Sequence, residues 1–379
     1  MEKGTASFNA ALVLEDGSVF QGFSFGKLGE FEGEVVFNTG MVGYPESLTD
    51  PSYHEQLLCL TYPLIGNYGL PADEIKDFSI PKYYESDNIQ VKGLVISELC
   101  VNPSHWSAVK TLASWLTEEG IPGIFGVDTR KLTKKLREKG VMLGVLKTCD
   151  NTGDIDTEEL MRKASKINDP NDRNLVSEVS TKKTLVYNQG GKLRVALYDC
   201  GVKYNIIRSL LKRNVEVIRL PYDTPYDVAI GYKPHGIIIS NGPGDPKKIN
   251  GLVMNTRRLL EYDLPVMGIC LGNQILALSG GADTYKLKYG HRSQNQPSLD
   301  VYTRKCYITS QNHGYAVSEE TLEDTDFKPW FVNINDHTNE GIINRGGDKF
   351  AVQFHPENYP GPFDTEFIFE LFIKKMGSQ

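Results

Sequence analysis

A cysteine stands where its thiol could act as a nucleophile. In LPVMGICLGNQILAL a short apolar strand is predicted to end at Ile269, Cys270 follows, and an apolar helix begins almost at once. Gly268 and Gly272 flank the cysteine two residues away on either side, which is the strand–turn–helix elbow pattern that exposes a catalytic serine in hydrolases. Such a turn is strained and leaves no room for larger neighbours. It also places the thiol at a helix N-terminus, where the unpaired N–H groups favour the thiolate.

A thiolate nucleophile needs a base, and FAVQFHPE near the end of the chain offers one. His355 lies just past an apolar strand, and Glu357 follows two residues later. If the segment stays extended, both side chains point to one face. The carboxylate would then orient the imidazole and favour its protonated form. Taken alone, a histidine bonded to backbone beside a surface glutamate is the simpler interpretation, but the cysteine elbow in the same α/β segment favours the catalytic one.

The loop SNGPGDP, residues 240–246, also follows a core strand. Its Gly-Pro-Gly run allows backbone N–H groups to approach a substrate closely. One of them, with the N–H of Leu271 after the nucleophile, would form a two-donor oxyanion hole. An ordinary Gly/Pro turn explains the same residues equally well. A phosphate-binding loop is disfavoured because neither a Walker motif nor GxGxxG occurs.

The elements around these residues predict an α/β domain over 192–379. After Lys192, apolar strands alternate with helices, for example LRVALYDC, KYNIIRSLLKRN, VEVIRLP and HGIII. Strands and helices that alternate at this length indicate a mostly parallel sheet covered on both faces.

The first part of the chain, 9–150, is predicted to be a β-rich mixed domain. AALVLEDGSVFQGFSFG reads as a hairpin that turns at Asp16-Gly17. Helices are expected from Ser104 to about Glu119, with Trp106 and Trp115 on the apolar side, and after Asp128-Thr129 up to Gly140. The polar segment 151–191 is predicted to connect the domains and to contain one short helix, DTEELMRKASKI.

Composition excludes several classes of protein. With 379 residues the chain exceeds the usual size of a single core, so two domains are expected. There is no apolar run long enough to span a membrane and no secretory signal is evident. The net charge of −7 is dispersed, which gives no electrostatic footprint for nucleic acid or an anionic membrane.

The six cysteines are widely spaced and form no CxxC or Cys/His pair, so no metal site is predicted. We expect reduced thiols, a cytoplasmic protein and, for every cysteine except Cys270, a small buried hydrophobic side chain.

At this point the motifs match a known family. GICLGNQ, SNGPGDP, SQNHGYAV and FHPE, in this order, resemble the class I (triad) glutamine amidotransferases. GHRSQNQP resembles one branch of them, the glutaminase subunit or domain of carbamoyl phosphate synthetase. VLEDGSVFQG, GEVVFNTGMVGYPESLTDPSY, LTYPLIGNYG and GVDTRKLTKKLREKG resemble the N-terminal domain of that small subunit. The resemblance covers nearly the whole chain. The N-terminal motifs LTYPLIGNYG and GVDTRKLTKKLREKG are similar to those of the glutaminase domain of multifunctional pyrimidine-pathway proteins.

The resemblance implies roles for individual residues. Cys270, His355 and Glu357 match the catalytic triad, and Gly242 and Leu271 match the oxyanion-hole donors. Positions that hold glutamine are matched by Ser52, Gly242, Gly244, Leu271, Gln274, Asn312, Gly314 and Tyr315. Ser52 implies that the N-terminal domain reaches the active site. The implied reaction is hydrolysis of glutamine through a glutamyl thioester, with ammonia passing to a synthetase subunit or domain for the pyrimidine or arginine pathway. ATP and magnesium are expected on that partner, and no cofactor is expected in this chain.

One residue departs from the family pattern. The nucleophile motif usually reads Cys-Leu-Gly-His-Gln, whereas Asn273 stands here at the histidine position. Because the position is outside the triad, activity is expected to survive. Two alternatives stay open at this stage: an amidotransferase that feeds another pathway, which the N-terminal domain disfavours, and a catalytically silent regulatory or scaffolding subunit, which the intact triad disfavours.

Overall fold

The protein is described here by a computed structural model, which covers residues 8–150 and 155–377. The chain divides into two compact units. The first comprises residues up to 75 with 82–170, and the second comprises 76–81 with residues from 171 onward. Residues 1–7, 151–154 and 378–379 lie outside the described residues, as do the sequence predictions for the start of the chain and for the first residues of the connecting segment. The predicted domain limits of 9–150 and 192–379 stay predictions.

The first unit is built around a closed β-barrel. The strands of the first 150 residues are β1 (Ala10–Leu14), β2 (Val19–Gly26), β3 (Gly29–Asn38), β4 (Gln56–Leu60), β5 (Leu64–Ile65), β6 (Lys76–Asp77), β7 (Ile80–Pro81), β8 (Gly93–Val95), β9 (Glu98–Leu99), β10 (Pro122–Phe125) and β11 (Met142–Thr148). The barrel order is β1–β11–β3–β4–β8–β10–β2. β1 and β2 form the predicted hairpin around Asp16-Gly17. The β6–β7 pair belongs to the second unit.

Helices of the first unit are α1 (Tyr44–Thr49), α2 (Leu112–Glu118), α3 (Thr129–Lys139) and α4 (Thr157–Ala164). The prediction of α3 is confirmed: the Asp128 side chain accepts a hydrogen bond from the N–H of Lys131, and Gly140 ends the helix at φ 109°. The prediction of a helix from Ser104 was wrong. That helix begins only after Thr111, whose hydroxyl accepts from the N–H of Ser114, and Trp106 is 85% exposed rather than packed on its apolar face.

The second unit is a three-layer α/β domain. Its remaining strands are β12 (Leu185–Tyr187), β13 (Leu193–Asp199), β14 (Val215–Pro221), β15 (Gly236–Ile239), β16 (Val266–Ile269), β17 (Thr284–Asp300), β18 (Cys306–Val317), β19 (Phe327–Asn333), β20 (Asn339–Asn344) and β21 (Lys349–Val352). Its helices are α5 (Val176–Val179), α6 (Tyr204–Leu211), α7 (Tyr226–Gly231), α8 (Asn250–Leu259), α9 (Leu271–Gly280) and α10 (Phe367–Gly377). The sheet order is β12–β14–β13–β15–β16–β21–β20–β19–β17–β18.

The predicted fold class is confirmed, with one refinement to the sheet. β14, β13, β15, β16 and β21 pair in parallel, as expected from the βα alternation. The strands β17 to β20 add an antiparallel region that joins at β21. Along β13, Val195 packs with α6 and α10 on one face, while Ala196 packs with α8 and α9 on the other. Alternate strand residues therefore fill two apolar layers, and the sheet is covered on both faces.

Two further sequence expectations concern exposure. No helix among the described residues is long and apolar enough to cross a membrane. All six cysteines carry free thiols. The expectation that five of them are buried was wrong for Cys306, which is exposed near the start of β18, and for Cys100, which is half-buried.

Candidate active site

The candidate nucleophile sits in a sharp turn between β16 and α9. Cys270 has φ 55° and ψ −102°, its N–H donates to the Val352 carbonyl at 2.8 Å, and the residue is 2% exposed. A Cβ on Gly268 would lie 2.4 Å from the Gly272 carbonyl oxygen, and a Cβ on Gly272 would lie 2.1 Å from the Ile239 carbonyl oxygen. Only glycine fits at both positions, which is the steric reason for the spacing seen in the sequence.

The candidate base is held by a short contact to a carboxylate. His355 Nδ1 lies 2.7 Å from Glu357 Oε1, and both side chains are buried. The contact matches the sequence prediction, but its backbone origin differs. β21 ends at Val352, and residues 355–358 form a turn in which the N–H of Asn358 donates to the His355 carbonyl. The turn, rather than an extended strand, brings the two side chains together.

The electrostatics of this pair favour an imidazolium ring. Burial by itself lowers the pKa of His355, but the charge of Glu357 raises it, Lys203 opposes that rise and Cys270 adds to it, so that the pKa stands above its ordinary value. Burial raises the pKa of Glu357, whereas Lys203 and then His355 lower it to below its ordinary value. His355 Nε2 makes no hydrogen bond of regular geometry among the described residues, although the ring is within electrostatic reach of the Cys270 sulfur. Glu357 is therefore anionic and His355 cationic near neutral pH.

Sequence reasoning missed a buried cation in this site. Lys203 Nζ lies 3.0 Å from Glu357 Oε1 and 2.7 Å from the Asn358 carbonyl oxygen, and the lysine side chain is only 2% exposed. Asn205 donates from Nδ2 to the Glu357 carbonyl. Lys203 lies in the segment after β13, as the residue before the first turn of α6, at the carboxyl edge of the parallel strands, where sites of α/β folds assemble. That position is the signal by which the sequence could have revealed it.

The loop after β15 runs beside the elbow, as the oxyanion hypothesis requires. A Cβ on Gly242 would lie 2.1 Å from the Cys200 carbonyl oxygen and 2.9 Å from Leu271 Cδ2, so this glycine is adjacent to the residue after the nucleophile. Leu271 is the first residue of α9, where the N–H has no acceptor within the helix. Gly244 has φ 86° and lies against Leu175.

Several residues matched to glutamine binding lie near the sulfur in the second unit. Cys270 Sγ is 3.6 Å from the Asn312 carbonyl oxygen, and Gln274 Nε2 donates to the Tyr315 carbonyl at 2.9 Å. Gly314 lies against the Arg292 guanidinium. Ser52 belongs to the first unit, where it lies in the short 3₁₀ helix Pro51–Tyr53 and its N–H donates to Asp50. The roles of all of these residues remain predictions.

A second missed residue is Gln353, which is fully buried beside the sulfur. Its Nε2 lies 3.7 Å from Cys270 Sγ. Its Oε1 accepts from Asn273 Nδ2 at 3.1 Å and from Gln274 Nε2 at 3.3 Å. The Asn273 side chain therefore contacts Gln353, while the Asn273 backbone N–H donates to the Cys270 carbonyl at 3.0 Å.

A histidine and carboxylate cluster also lies in the second unit. Ligand-type atoms of His291, His313 and Glu340 are within 4.8 Å of one another. His313 uses Nδ1 for the Tyr315 carbonyl and Nε2 for Gln311, and the Glu340 oxygens accept from Asn333 and Gln311. His291 uses Nε2 for Asp336, and its Nδ1 lies 3.3 Å from Glu340 Oε1. Since the His313 and Glu340 atoms already have hydrogen-bond partners and His291 pairs with two carboxylates, the cluster fits a structural polar network better than a metal centre.

Comparison with known proteins agrees with the fold. Residues 196–375 match the family described as "Glutamine amidotransferase class-I". The second unit thus defines the chain as a class I glutamine amidotransferase. Residues 12–146 match the family described as "Carbamoyl-phosphate synthase small chain, CPSase domain".

Relatives that match over most of their own length define the branch. The carbamoyl phosphate synthase small chain of Pyrococcus furiosus is 47% identical over 96% of this chain and 96% of its own length. The arginine-specific small chain of Neurospora crassa is 48% identical over 97% of this chain and 80% of its own length. The chain belongs to the carbamoyl phosphate synthase small chain family, in which it is the glutamine-hydrolysing component.

In a longer relative, a similar region forms part of a multifunctional protein. "Multifunctional protein CAD" of Squalus acanthias is 48% identical over 96% of this chain, but this chain spans only 16% of that protein. The resemblance to carbamoyl phosphate synthetase glutaminases stated from the motifs is confirmed, and the similarity to multifunctional pyrimidine-pathway proteins is confirmed for this region alone.

Proposed function

We propose that Cys270, His355 and Glu357 hydrolyse glutamine through a covalent glutamyl thioester. The Cys270 thiolate, held as an ion pair with the His355 imidazolium, attacks the carboxamide carbon of the glutamine side chain. His355 then protonates the departing ammonia, which leaves an acyl bond on the sulfur. Water that gives a proton to His355 attacks this bond, releases glutamate and restores the thiolate.

The observation that carries this proposal is the chain of contacts Glu357–His355–Cys270. The carboxylate fixes Nδ1 of the imidazole, so Nε2 is the ring nitrogen left for proton exchange. The raised pKa of His355 favours the imidazolium that pairs with a thiolate. Lys203 keeps Glu357 ionised in a buried position, where an unpaired carboxylate would otherwise take up a proton.

The developing oxyanion is proposed to receive hydrogen bonds from the N–H groups of Gly242 and Leu271. The Leu271 N–H is at the start of α9, so the helix dipole also favours negative charge there. Loss of one such donor costs about 2.7–4 kcal/mol of transition-state stabilisation in other enzymes. The adjacency of Gly242 to Leu271 supports this assignment.

Substrate and partner follow from the same proposal. In the second unit, glutamine is held by Gly242, Gly244, Leu271, Gln274, Asn312, Gly314 and Tyr315. The role that the family resemblance gives to Ser52 stays a prediction. Membership in the small chain family implies a large synthetase subunit or domain as partner. We propose that ammonia travels to that partner through an internal tunnel, where ATP, magnesium and bicarbonate act in carbamoyl phosphate synthesis. The cytoplasmic location indicated by the widely spaced cysteines stays a prediction, as does the choice between the pyrimidine and arginine pathways.

The test measures release of glutamate from glutamine by the wild-type chain and by Cys270→Ser, with and without a synthetase partner. Ser279→Ala is the matched control, because Ser279 is a buried polar residue on the same helix whose hydroxyl donates to the Val253 and Ile275 carbonyls, away from the thiol. We expect Cys270→Ser to abolish turnover and the control to retain it. Glutamine-dependent turnover by Cys270→Ser would overturn the nucleophile assignment.

The alternatives give different results in the same assays. A catalytically silent scaffold would show no turnover with any partner and no labelling of Cys270 by an electrophilic glutamine analogue. An amidotransferase of another pathway would hydrolyse glutamine without a response to the carbamoyl phosphate synthetase partner. A fully active, partner-independent enzyme would contradict the coupling proposed here.

A further inference from the structure

We propose that Gln353 is a catalytic residue of this glutaminase, because its side-chain amide donates a hydrogen bond to the Cys270 sulfur and stabilises the thiolate. The inference rests on the proposed role of Cys270 as the nucleophile. It assigns a function to a buried side chain outside the triad and the oxyanion hole.

The backbone fixes the position of Gln353 relative to the sulfur. The N–H of Cys270 donates to the Val352 carbonyl, and the N–H of Gln353 donates to the Glu340 carbonyl, both at 2.8 Å. Gln353 therefore stands one residue beyond the strand that pairs with the elbow. From there its amide reaches the sulfur, with Nε2 at 3.7 Å from Sγ.

The hydrogen-bond network decides which end of the Gln353 amide faces the sulfur. The Tyr315 carbonyl can only accept, so the Gln274 group 2.9 Å from it is the NH₂. The same NH₂ lies 3.3 Å from the other end of the Gln353 amide, which must therefore be the oxygen. Asn273 adds a second donor to this oxygen at 3.1 Å. Nε2 of Gln353 is left to point at Cys270.

Two contacts act on the sulfur in opposite directions. The Asn312 carbonyl, 3.6 Å from Sγ, accepts a hydrogen bond from the neutral thiol and repels a thiolate. The Gln353 N–H does the reverse, because a donor favours the anion. In the thiolate that pairs with the His355 imidazolium, Gln353 keeps its own proton, and its hydrogen bond to the anionic sulfur is stronger than the one to a neutral thiol. The same bond stabilises the thiolate that leaves when water hydrolyses the thioester.

The test follows alkylation of Cys270 by iodoacetamide as a function of pH, with the modified peptides quantified by mass spectrometry. Gln353→Met keeps the length of the side chain without the amide, and Gln353→Glu keeps the shape but faces the sulfur with a carboxylate. We expect the pH midpoint of alkylation to rise by about one unit in the Met variant, a tenfold lower thiolate-to-thiol ratio, and by more in the Glu variant. Glutamine hydrolysis near neutral pH falls about tenfold and recovers as the pH rises.

Two controls separate this effect from loss of structure. Cys306 is exposed, and its alkylation in the same samples should not change. Ser279→Ala, on the same helix as the elbow, should leave the Cys270 midpoint unchanged. In the unsubstituted chain, the side-chain amide protons of Gln353 should shift in NMR spectra with the midpoint of Cys270 alkylation, a measurement that needs no variant.

The outcomes are distinguishable. An unchanged Cys270 midpoint in a folded Gln353→Met or Gln353→Glu chain overturns the role of Gln353. If neither variant folds, an amide signal that does not titrate with Cys270 has the same consequence. Turnover by Cys270→Ser overturns the proposed function itself, whatever Gln353 does.

Discussion

Lys203 Nζ lies 3.0 Å from Glu357 Oε1, and the two side chains are 2% and 0% exposed. This ion pair is as deeply buried as the His355–Glu357 pair, and it joins the segment after β13 to the turn after β21. The Glu357 carboxylate, which we propose as a member of the triad, therefore also links two distant segments of the second unit.

Removal of the lysine should destabilise the protein. Lys203→Met leaves Glu357 buried without its cation, which typically costs about 3–5 kcal/mol. Denaturant unfolding of the second unit is the measurement. The double variant Lys203→Met with Glu357→Gln removes both charges and should recover part of this loss. Equal stability of Lys203→Met and the wild type would show that the pair contributes nothing.

The backbone strain at the nucleophile predicts an unusual order of stabilities. Cys270 has φ 55° and ψ −102°, a conformation that costs about 1–3 kcal/mol in a residue with a Cβ. Cys270→Gly and Cys270→Ala both lose the thiol, but only glycine relieves the strain. We expect Cys270→Gly to be the more stable of the two inactive variants in thermal unfolding. The reverse order would mean that the turn is not strained.

The glycines around the elbow should tolerate no side chain. A Cβ on Gly272 would lie 2.1 Å from the Ile239 carbonyl oxygen, so Gly272→Ala must displace a strand and should cost several kcal/mol, above the usual range of about 0.5–3 kcal/mol. Gly251→Ala is the matched control, because Gly251 is exposed in α8 with nothing within 4 Å of an added Cβ. The control should gain up to about 1 kcal/mol. Similar stabilities for the two variants would contradict the close approach.

Acid should destabilise the site through Glu357. Its pKa is lowered from 4.5 in the folded protein, against the effect of burial, by Lys203 and His355. The stability it contributes is therefore complete above pH 4.5 and is lost as the pH falls toward the folded-state pKa of about 2. Glu357→Gln should flatten this part of the stability-versus-pH curve measured by denaturant unfolding. An unchanged acid slope in that variant would be inconsistent with a buried, ionised carboxylate.

Raising the pH should destabilise the protein through a second histidine, His291. Burial alone lowers the pKa of His291, but Asp336, 2.8 Å from Nε2, and Glu340 raise it from 6.5 to about 9. The stability contributed by this ion pair is complete below pH 6.5 and is lost as the pH rises through 9. The difference in unfolding free energy between wild type and His291→Asn should shrink over that interval. A constant difference from pH 6 to pH 10 would show that His291 is neutral throughout.

Much of the site could be predicted from short stretches of sequence. The elbow follows from Gly268 and Gly272. A Cβ on Gly268 would clash with Gly272 in the same turn, whereas a Cβ on Gly272 would clash with Ile239 of the neighbouring strand β15. The His355–Glu357 contact was also predicted, although the turn that produces it was not. The helix expected from Ser104 failed because Thr111 caps a later start, and apolar spacing alone does not reveal which residue begins a helix.

The sequence by itself determined the family, the two-part organisation and the local geometry of the nucleophile. Only the tertiary structure decided that Lys203 neutralises Glu357 and that Gln353 turns its amide toward Cys270. Both contacts join residues that are distant in the chain, and they depend on which strands are neighbours in the sheet and on how deeply the side chains are buried. Neighbouring residues determine local sterics, whereas the paired strands determine which distant polar groups share a buried site.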